Sequence, residues 1–224
     1  MSTARERILA RLRAAPAGEP VPLPDVAAWH AGRPGLSPAA RIERFRSNIE
    51  AAHAEVHDTD RAGWPALLAR IALEKGVRTL LVGSGSDHAA ALAATPACAD
   101  GGMRLISYDR PASIWRDELF ENVDAALTPA RSAIADTGSL ILWPDAGAPR
   151  LMSLVPPIHF VLLDAAQIHA DLHEAMTAER WGDGMPTNAL VISGPSKTAD
   201  IQQTLAYGAH GPREVVVLLL RSAS

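Results

Sequence analysis

Residues 64–95 read "WPALLARIALEKGVRTLLVGSGSDHAAALAAT", and this stretch decides the fold. "WPALLARIALEKG" is a helix that stops at Gly76, with Glu74 and Lys75 in its last turn. "VRTLLVG" follows as a buried strand over Val77 to Val82, and "SDHAAALAAT" is a second helix. A strand without a polar face needs cover on both sides, which a parallel sheet with crossover helices supplies. The alternation continues downstream. "GMRLISYD" reads as a strand, "SIWRDELFE" as a helix and "PIHFVLLDA" as a strongly apolar strand. "AAQIHADLHEAMTAE" reads as a helix, and "NALVIS" and "REVVVLLL" as the last two strands with a helix between them. Residues 123–144 break into short strands around a turn at Thr137-Gly138, a hairpin-like insertion or mixed edge. The predicted architecture is a three-layer α/β fold, a mostly parallel sheet with helices on both faces.

The first 58 residues differ in character. Residues 3–14 predict a helix with a short apolar stripe of Ile8, Leu9 and Leu12, capped by Ser2 or Thr3. "APAGEPVPLPDVAAWHAGRPGLSP" is proline-rich and reads as a linker or extended arm. Ser37 caps a further helix with Pro38 at its first position, and Ile42, Phe45 and Ile49 fall at helical spacing. The expected organisation is an N-terminal arm over 1–58, packed on an α/β domain over 59–224; a partner-binding arm is the alternative.

Composition narrows the function classes. The 224 residues are 48% hydrophobic and 21% charged, with a net charge of −4. That balance is globular, and it disfavours nucleic acid, which selects a basic face. One cysteine, Cys98, leaves no internal disulfide and no self-supplied iron–sulfur cluster, which takes about four thiolates. A reduced cytoplasmic setting is expected. No run of apolar residues is long enough to span a membrane, and no cofactor or metal is expected.

Four segments carry candidate chemistry. "ISGPSKTADI", Ile192 to Ile201, lacks the glycines of a nucleotide P-loop. Read as strand, turn and helix start, it places Gly194 and Pro195 in the turn, Ser196 or Thr198 as cap and Asp200 in the first turn. An anion at such a start gains about 0.3–1 kcal/mol from the helix dipole, and Lys197 adds a point charge. Alternatively it is a capped helix start with a solvated Lys197. "YGAHGP" puts His210 in a glycine-rich turn with Gly211, as a structural donor or an acid–base candidate. "AIADTGSLIL" holds Asp136, Thr137 and Gly138 at a turn, where Asp136 either satisfies the turn or serves as a base. Arg150 is a candidate carboxylate binder or a surface ion-pair partner.

Three lookalikes are set aside. "VGSGSDH" has His88 where a dinucleotide fingerprint needs its third glycine, and reads as a plain strand-to-helix turn. His169 and His173 have metal-ligand spacing but Ala170 between them, and read as two surface histidines. Cys98 reads as a packed residue.

"AIADTGSLIL", "RLMSLVPPIHFVLL" and "ISGPSKTADIQQTLAYGAHGP" together resemble the lactate-utilisation protein C family of LUD-domain proteins. The resemblance runs in order from about Val123 to Leu220. It implies a fold like those of ribose-5-phosphate isomerase, glucosamine-6-phosphate deaminase and formyltetrahydrofolate cyclo-ligase. It also implies an accessory role in an iron–sulfur system that oxidises L-lactate to pyruvate, with the clusters in partner subunits. The family motif falls on Asp136, Thr137, Gly138, Gly194, Ser196, Lys197, Thr198, Asp200, His210 and Gly211. It carries over no catalytic residue. Its pattern has Glu at the position of Asp136 and Arg at that of Lys197; Lys keeps the charge but loses the bidentate fork. The alternative is a stand-alone enzyme or small-molecule binder with an anion pocket at the carboxyl edge of the sheet.

Overall fold

In the computed structural model, residues 3–15, 18, 21–32, 34–199 and 205–221 are described. The chain divides into two compact units, residues 1–34 and 35–224.

The first unit holds α1 (Ala4–Ala14) and α2 (Val26–Ala31), neither of which buries a residue. Thr3 and Glu6 form a reciprocal capping box at the start of α1. Asp25 caps α2, so the proline-rich stretch contains one short helix.

The second unit opens with α3 (Pro38–Ala51) and β1 (Glu55–Thr59), so residues 35–58, proline-linked and helical in the sequence, contribute to this body. There follow α4 (Trp64–Glu74), β2 (Thr79–Gly83), α5 (Asp87–Ala93), the one-turn α6 (Pro96–Ala99) and β3 (Arg104–Tyr108). Next come α7 (Ala112–Glu121), β4 (Ala125–Pro129), β5 (Ser132–Ile134), β6 (Ser139–Leu142) and β7 (Ile158–Asp164). The chain continues through β8 (Ile168–His169), α8 (Leu172–Ala178), β9 (Leu190–Ile192), β10 (Lys197–Ala199), β11 (Leu205–Tyr207) and β12 (Glu214–Leu220).

Six strands form one sheet in the order β1-β12-β7-β4-β2-β3, and every pairing is parallel. Alternate residues serve opposite faces. Leu80, Val82, Phe160, Leu162, Val216 and Leu218 meet Trp64, Leu68 and Ile71 of α4 on one side. On the other, Val161, Leu163, Val215 and Val217 meet Phe45 and Ile49 of α3, while Leu81 and Ala126 meet Trp115 and Leu119 of α7. The fold is therefore the expected three-layer α/β arrangement. Each fully buried Leu, Ile or Phe in these layers contributes about 1.5–3 kcal/mol, which is why the apolar strands take the centre.

The hairpin-like middle resolves into a second sheet, ordered β8-β5-β6-β9, whose Ala133, Leu140 and Leu142 pack against the same face as α3. Two expected helices are corrected. Residues 165–169 form a short 3-10 turn and β8, and the helix begins only at Leu172, with Asp171 capping it through Glu174 N. Lys197–Ala199 is a strand, antiparallel to Leu205–Tyr207, where a helix start was expected. Gly, Pro and Ser introduce a hairpin as readily as they cap a helix, so the local chemistry did not discriminate.

Candidate functional site

The motif loops gather around the C-terminal end of α3. The turn between β5 and β6 slides under that helix because Gly138 has no side chain: a Cβ there would lie 2.5 Å from Ile49 N and 2.7 Å from Asn48 C. Gly138 also has φ +61°, in the left-handed region. Asn48 Nδ2 donates to the carbonyls of Ala135 (2.9 Å) and Asp136 (3.1 Å), and Arg44 Nη1 donates to Asp136 Oδ1 at 2.8 Å. Asp136 therefore tethers its turn to α3. Gly194, at φ +139°, makes a similar approach, and a Cβ there would meet Ala52 O at 2.8 Å. A hydroxyl chain links the two loops: Thr137 Oγ1 to Ser139 Oγ and Ser139 Oγ to Ser193 Oγ, both 2.7 Å.

The third motif segment joins through the backbone. Ser196 N donates to Pro212 O at 2.8 Å, and Gly208 N donates to Ser196 O at 3.0 Å. Gly211 stands where a Cβ would lie 3.1 Å from that of Ser196. Asp136, Thr137, Gly138, Gly194, Ser196 and Gly211 are thus brought into one platform. Lys197 is exposed and Thr198 half-buried on β10, opposite Tyr207 and Ala206, and His210 is exposed in the turn beside them. Asp200 lies outside the described residues. Arg150 is exposed at the start of a 3-10 turn (Arg150–Ser153), midway along the segment leading to β7.

The location of this platform differs from expectation. Pro212 and Arg213 lead directly into β12, and Arg213 N donates to Pro157 O, just before β7. The GPSKT and AHGP loops therefore sit at the amino edge of the parallel sheet, and not over its carboxyl edge. An open hollow of about 490 Å³ lies beside them, lined by His53, Pro195, Tyr207, Arg213 and Glu214.

The carboxyl edge has its own crevice. After β2 the chain runs outward to β3, then returns past β2 to β4. Strand order reverses there, and such switch points leave an opening between strand ends. The opening is about 330 Å³, between Val82-Gly83 at the end of β2 and Leu127 and Pro129 of β4. Ser84, Ser86, Asp87, His88, Asp145, Gly147 and Ala148 complete its lining. Gly83 lets the facing loop pack against the end of β2: a Cβ there would lie 2.3 Å from Gly147 O. Asp145 Oδ1 holds the facing loop by accepting from Gly147 N and Ala148 N, both 2.8 Å. His88 meets the Trp64 ring edge-on at 5.7 Å, and burial pushes its pKa down against the opposing charge of Asp87. At neutral pH it is an uncharged acceptor or donor. These residues come from "VGSGSDH", which sequence reasoning set aside. The signal that finds them is topological, the strand order, and not the glycine spacing.

A second hollow, about 360 Å³, shares Pro129 and Asp145 with the crevice and reaches Arg131 and Trp143. The Arg131 guanidinium stacks 3.7 Å from the centre of the Trp143 ring and pairs with Glu179. Trp181 Nε1 also donates to Glu179, at 2.9 Å. Burial raises the Glu179 pKa, but hydrogen bonds and the Arg131 charge outweigh it and hold the group below the usual carboxylate range. His169, expected at the surface, is only 12% exposed on β8, 3.6 Å from Glu179. Among the described residues, no cluster of three or more His, Cys, Asp or Glu is placed to hold a metal ion, and no helix is long and apolar enough to cross a membrane.

The LUD-domain family model matches residues 42–220, which include α3 from Ile42 on, both sheets, the motif platform and the crevice. The chain belongs to the LUD-domain family. An uncharacterized protein of Neisseria meningitidis serogroup B is 38% identical over 97% of this chain and 94% of its own length. Lactate utilization protein C of Macrococcus caseolyticus is 27% identical, over 54% of this chain and 57% of that protein. Lactate utilization protein C of Exiguobacterium is 30% identical over 46% of each chain, so this LUD-domain chain matches about half the length of these two. The crystal structure of a DUF162 family protein from Deinococcus radiodurans superposes with a TM-score of 0.62 at 26% identity. It covers 83% of this chain and 99% of its own.

Proposed function

We propose that this LUD-domain chain is an accessory component of an L-lactate oxidation system, lactate to pyruvate, whose iron–sulfur clusters reside in partner subunits. The observation that carries the reading is the kinship to proteins named lactate utilization protein C. The cysteine count adds to it. Two electrons must leave lactate, and a chain with Cys98 alone cannot supply the thiolate set of a cluster. The motif platform is the proposed contact face. Thr137 and His210 stand exposed on turns and Lys197 on the short strand β10, all next to the close approaches of Gly138, Gly194 and Gly211, an arrangement in which surface residues at element ends serve recognition.

The test is anaerobic capture of the tagged chain from its own host grown on lactate, with an absorption spectrum of the eluate. A brown eluate containing cysteine-rich partners is expected. Lys197→Ala, at an exposed strand position, is expected to change stability by no more than about 0.5 kcal/mol while reducing capture. A solitary, colourless chain that oxidises lactate unaided would sink the proposal.

The crevice between β2 and β4 favours a second reading, a small-molecule-binding role. Its position at the strand-order reversal and its volume of about 330 Å³ match ordinary ligand sites. The expected anion pocket draws less support. Its residues, Gly194 to Thr198, lie at the amino edge beside the hollow that Arg213 and Glu214 line, no Lys or Arg lines the carboxyl-edge crevice, and Asp136, a candidate base, has Oδ1 engaged by Arg44.

A further inference from the structure

The crevice at the carboxyl edge has a floor and a rim of different chemistry. Val82 and Leu127 are buried, and with Pro129 and Ala148 they give an apolar floor. The rim carries two exposed carboxylates, Asp87 on the β2–α5 side and Asp145 on the facing loop. The two hydrogen bonds that Asp145 Oδ1 accepts from Gly147 N and Ala148 N fix that carboxylate in place. The remaining side-chain groups are the hydroxyls of Ser84 and Ser86 and the half-buried imidazole of His88. No side chain of the lining carries a positive charge at neutral pH.

We propose that this crevice binds a small organic ammonium compound, its apolar body on Val82 and Leu127 and its charged head between Asp87 and Asp145. The rim presents acceptors and negative charge to anything entering, and a charged donor gains from both, because charge-assisted hydrogen bonds are the strong ones. An organic acid of the same size, lactate included, meets two like charges and no counter-ion. Substrate anions of the proposed oxidation system are thereby excluded from the crevice. The inference rests on the reading of the crevice as a ligand site, but the two fail differently: any localised binding supports the site, and the ranking among ligands decides its class.

The test is an NMR titration of the full chain with three probes of one body, hexylamine, hexanol and hexanoate, following backbone amides. Hexylamine is expected to shift the amides of Val82 to His88 and of Gly147 and Ala148, more tightly than hexanol and far more tightly than hexanoate. Asp87→Asn, at an exposed site, is expected to weaken hexylamine by about tenfold, the worth of one charged hydrogen bond. Ser84→Trp at the crevice mouth is expected to abolish the shifts for all probes. Hexanoate binding there as tightly as hexylamine overturns the ammonium class while leaving the site. Hexylamine shifts scattered over the acidic surface, or absent, overturn the site and the inference together.

Discussion

Lowering the pH from 7 to about 4.5 destabilises this protein through His159, and the size of the effect follows from its position. His159 lies on β7 between Ala126 of β4 and Val215 of β12, and it is 0% exposed. Its Nε2 lies 2.8 Å from Thr128 Oγ1, and its Nδ1 has no hydrogen-bond partner among the described residues. Burial alone pushes its pKa down from the usual 6.5 to about 3. The folded state therefore keeps the ring neutral while the unfolded chain protonates it below pH ~6.5. Stability is intact above that value and falls as pH drops through the window down to about 3. Each pH unit inside the window is worth about 1.4 kcal/mol, so about 2.7 kcal/mol is lost by pH ~4.5. Urea denaturation of the wild type and of His159→Gln at both pH values reads this directly. Glutamine keeps a hydrogen bond to Thr128 within reach and does not titrate. Glu55 and Glu179, whose pKa values are lowered, also cost stability as pH falls, but equally in both proteins, so they cancel. The wild type is expected to lose about 2–3 kcal/mol more than the variant. Equal losses would refute the assignment of the penalty to His159.

Two glycines make a matched pair for the docking of α3. Gly138→Ala is expected to cost about 3 kcal/mol in a urea melt, because its Cβ meets the backbone of Asn48 and Ile49 as well as a left-handed φ. Gly76→Ala, with φ +74° but nothing within 4 Å of its Cβ, is expected to cost only the backbone strain, about 1–2 kcal/mol. At the opposite end of β2, Asp124 Oδ2 accepts from Arg78 N, Thr79 N and Thr79 Oγ1 at 2.8–2.9 Å, tying β2 to β4. Asp124→Ala is expected to cost about 2–3 kcal/mol and to speed amide exchange along β2, since it leaves the Arg78 and Thr79 amides without their acceptor, while the Thr79 hydroxyl keeps the Asn122 carbonyl at 2.7 Å.

The local periods of the chain announced most of the architecture. The dominantly apolar runs of β2, β7 and β12 admit no solvated face, so a covered parallel sheet was legible from residues 79–83, 158–164 and 214–220 alone. Phe45 and Ile49, four apart on a capped helix, already marked the buried stripe of α3. The motif glycines were visible as well, although their cause was not: Gly138 and Gly194 are small because a helix some ninety and one hundred and forty residues away in sequence lies against them.

The tertiary structure decided where the chemistry sits. "GPSKT" carries the residues of a helix start, yet Lys197–Ala199 pairs with Leu205–Tyr207, because a hairpin partner lies within reach and strand pairing satisfies the same backbone groups. His169 has the spacing of a helical surface residue, but β8 adds to the edge of β5 and turns it toward Glu179. "VGSGSDH" becomes a crevice only because β3 and β4 leave β2 on opposite sides. The sequence by itself determined the long apolar strands β2, β7 and β12, that they are covered on both faces and that cysteine is too scarce for a cluster, since these depend on local pattern and composition. Strand order, the edge at which each loop emerges and the partners of Asp136, His159 and Glu179 were decided only by the fold, because they depend on contacts between residues far apart in the chain.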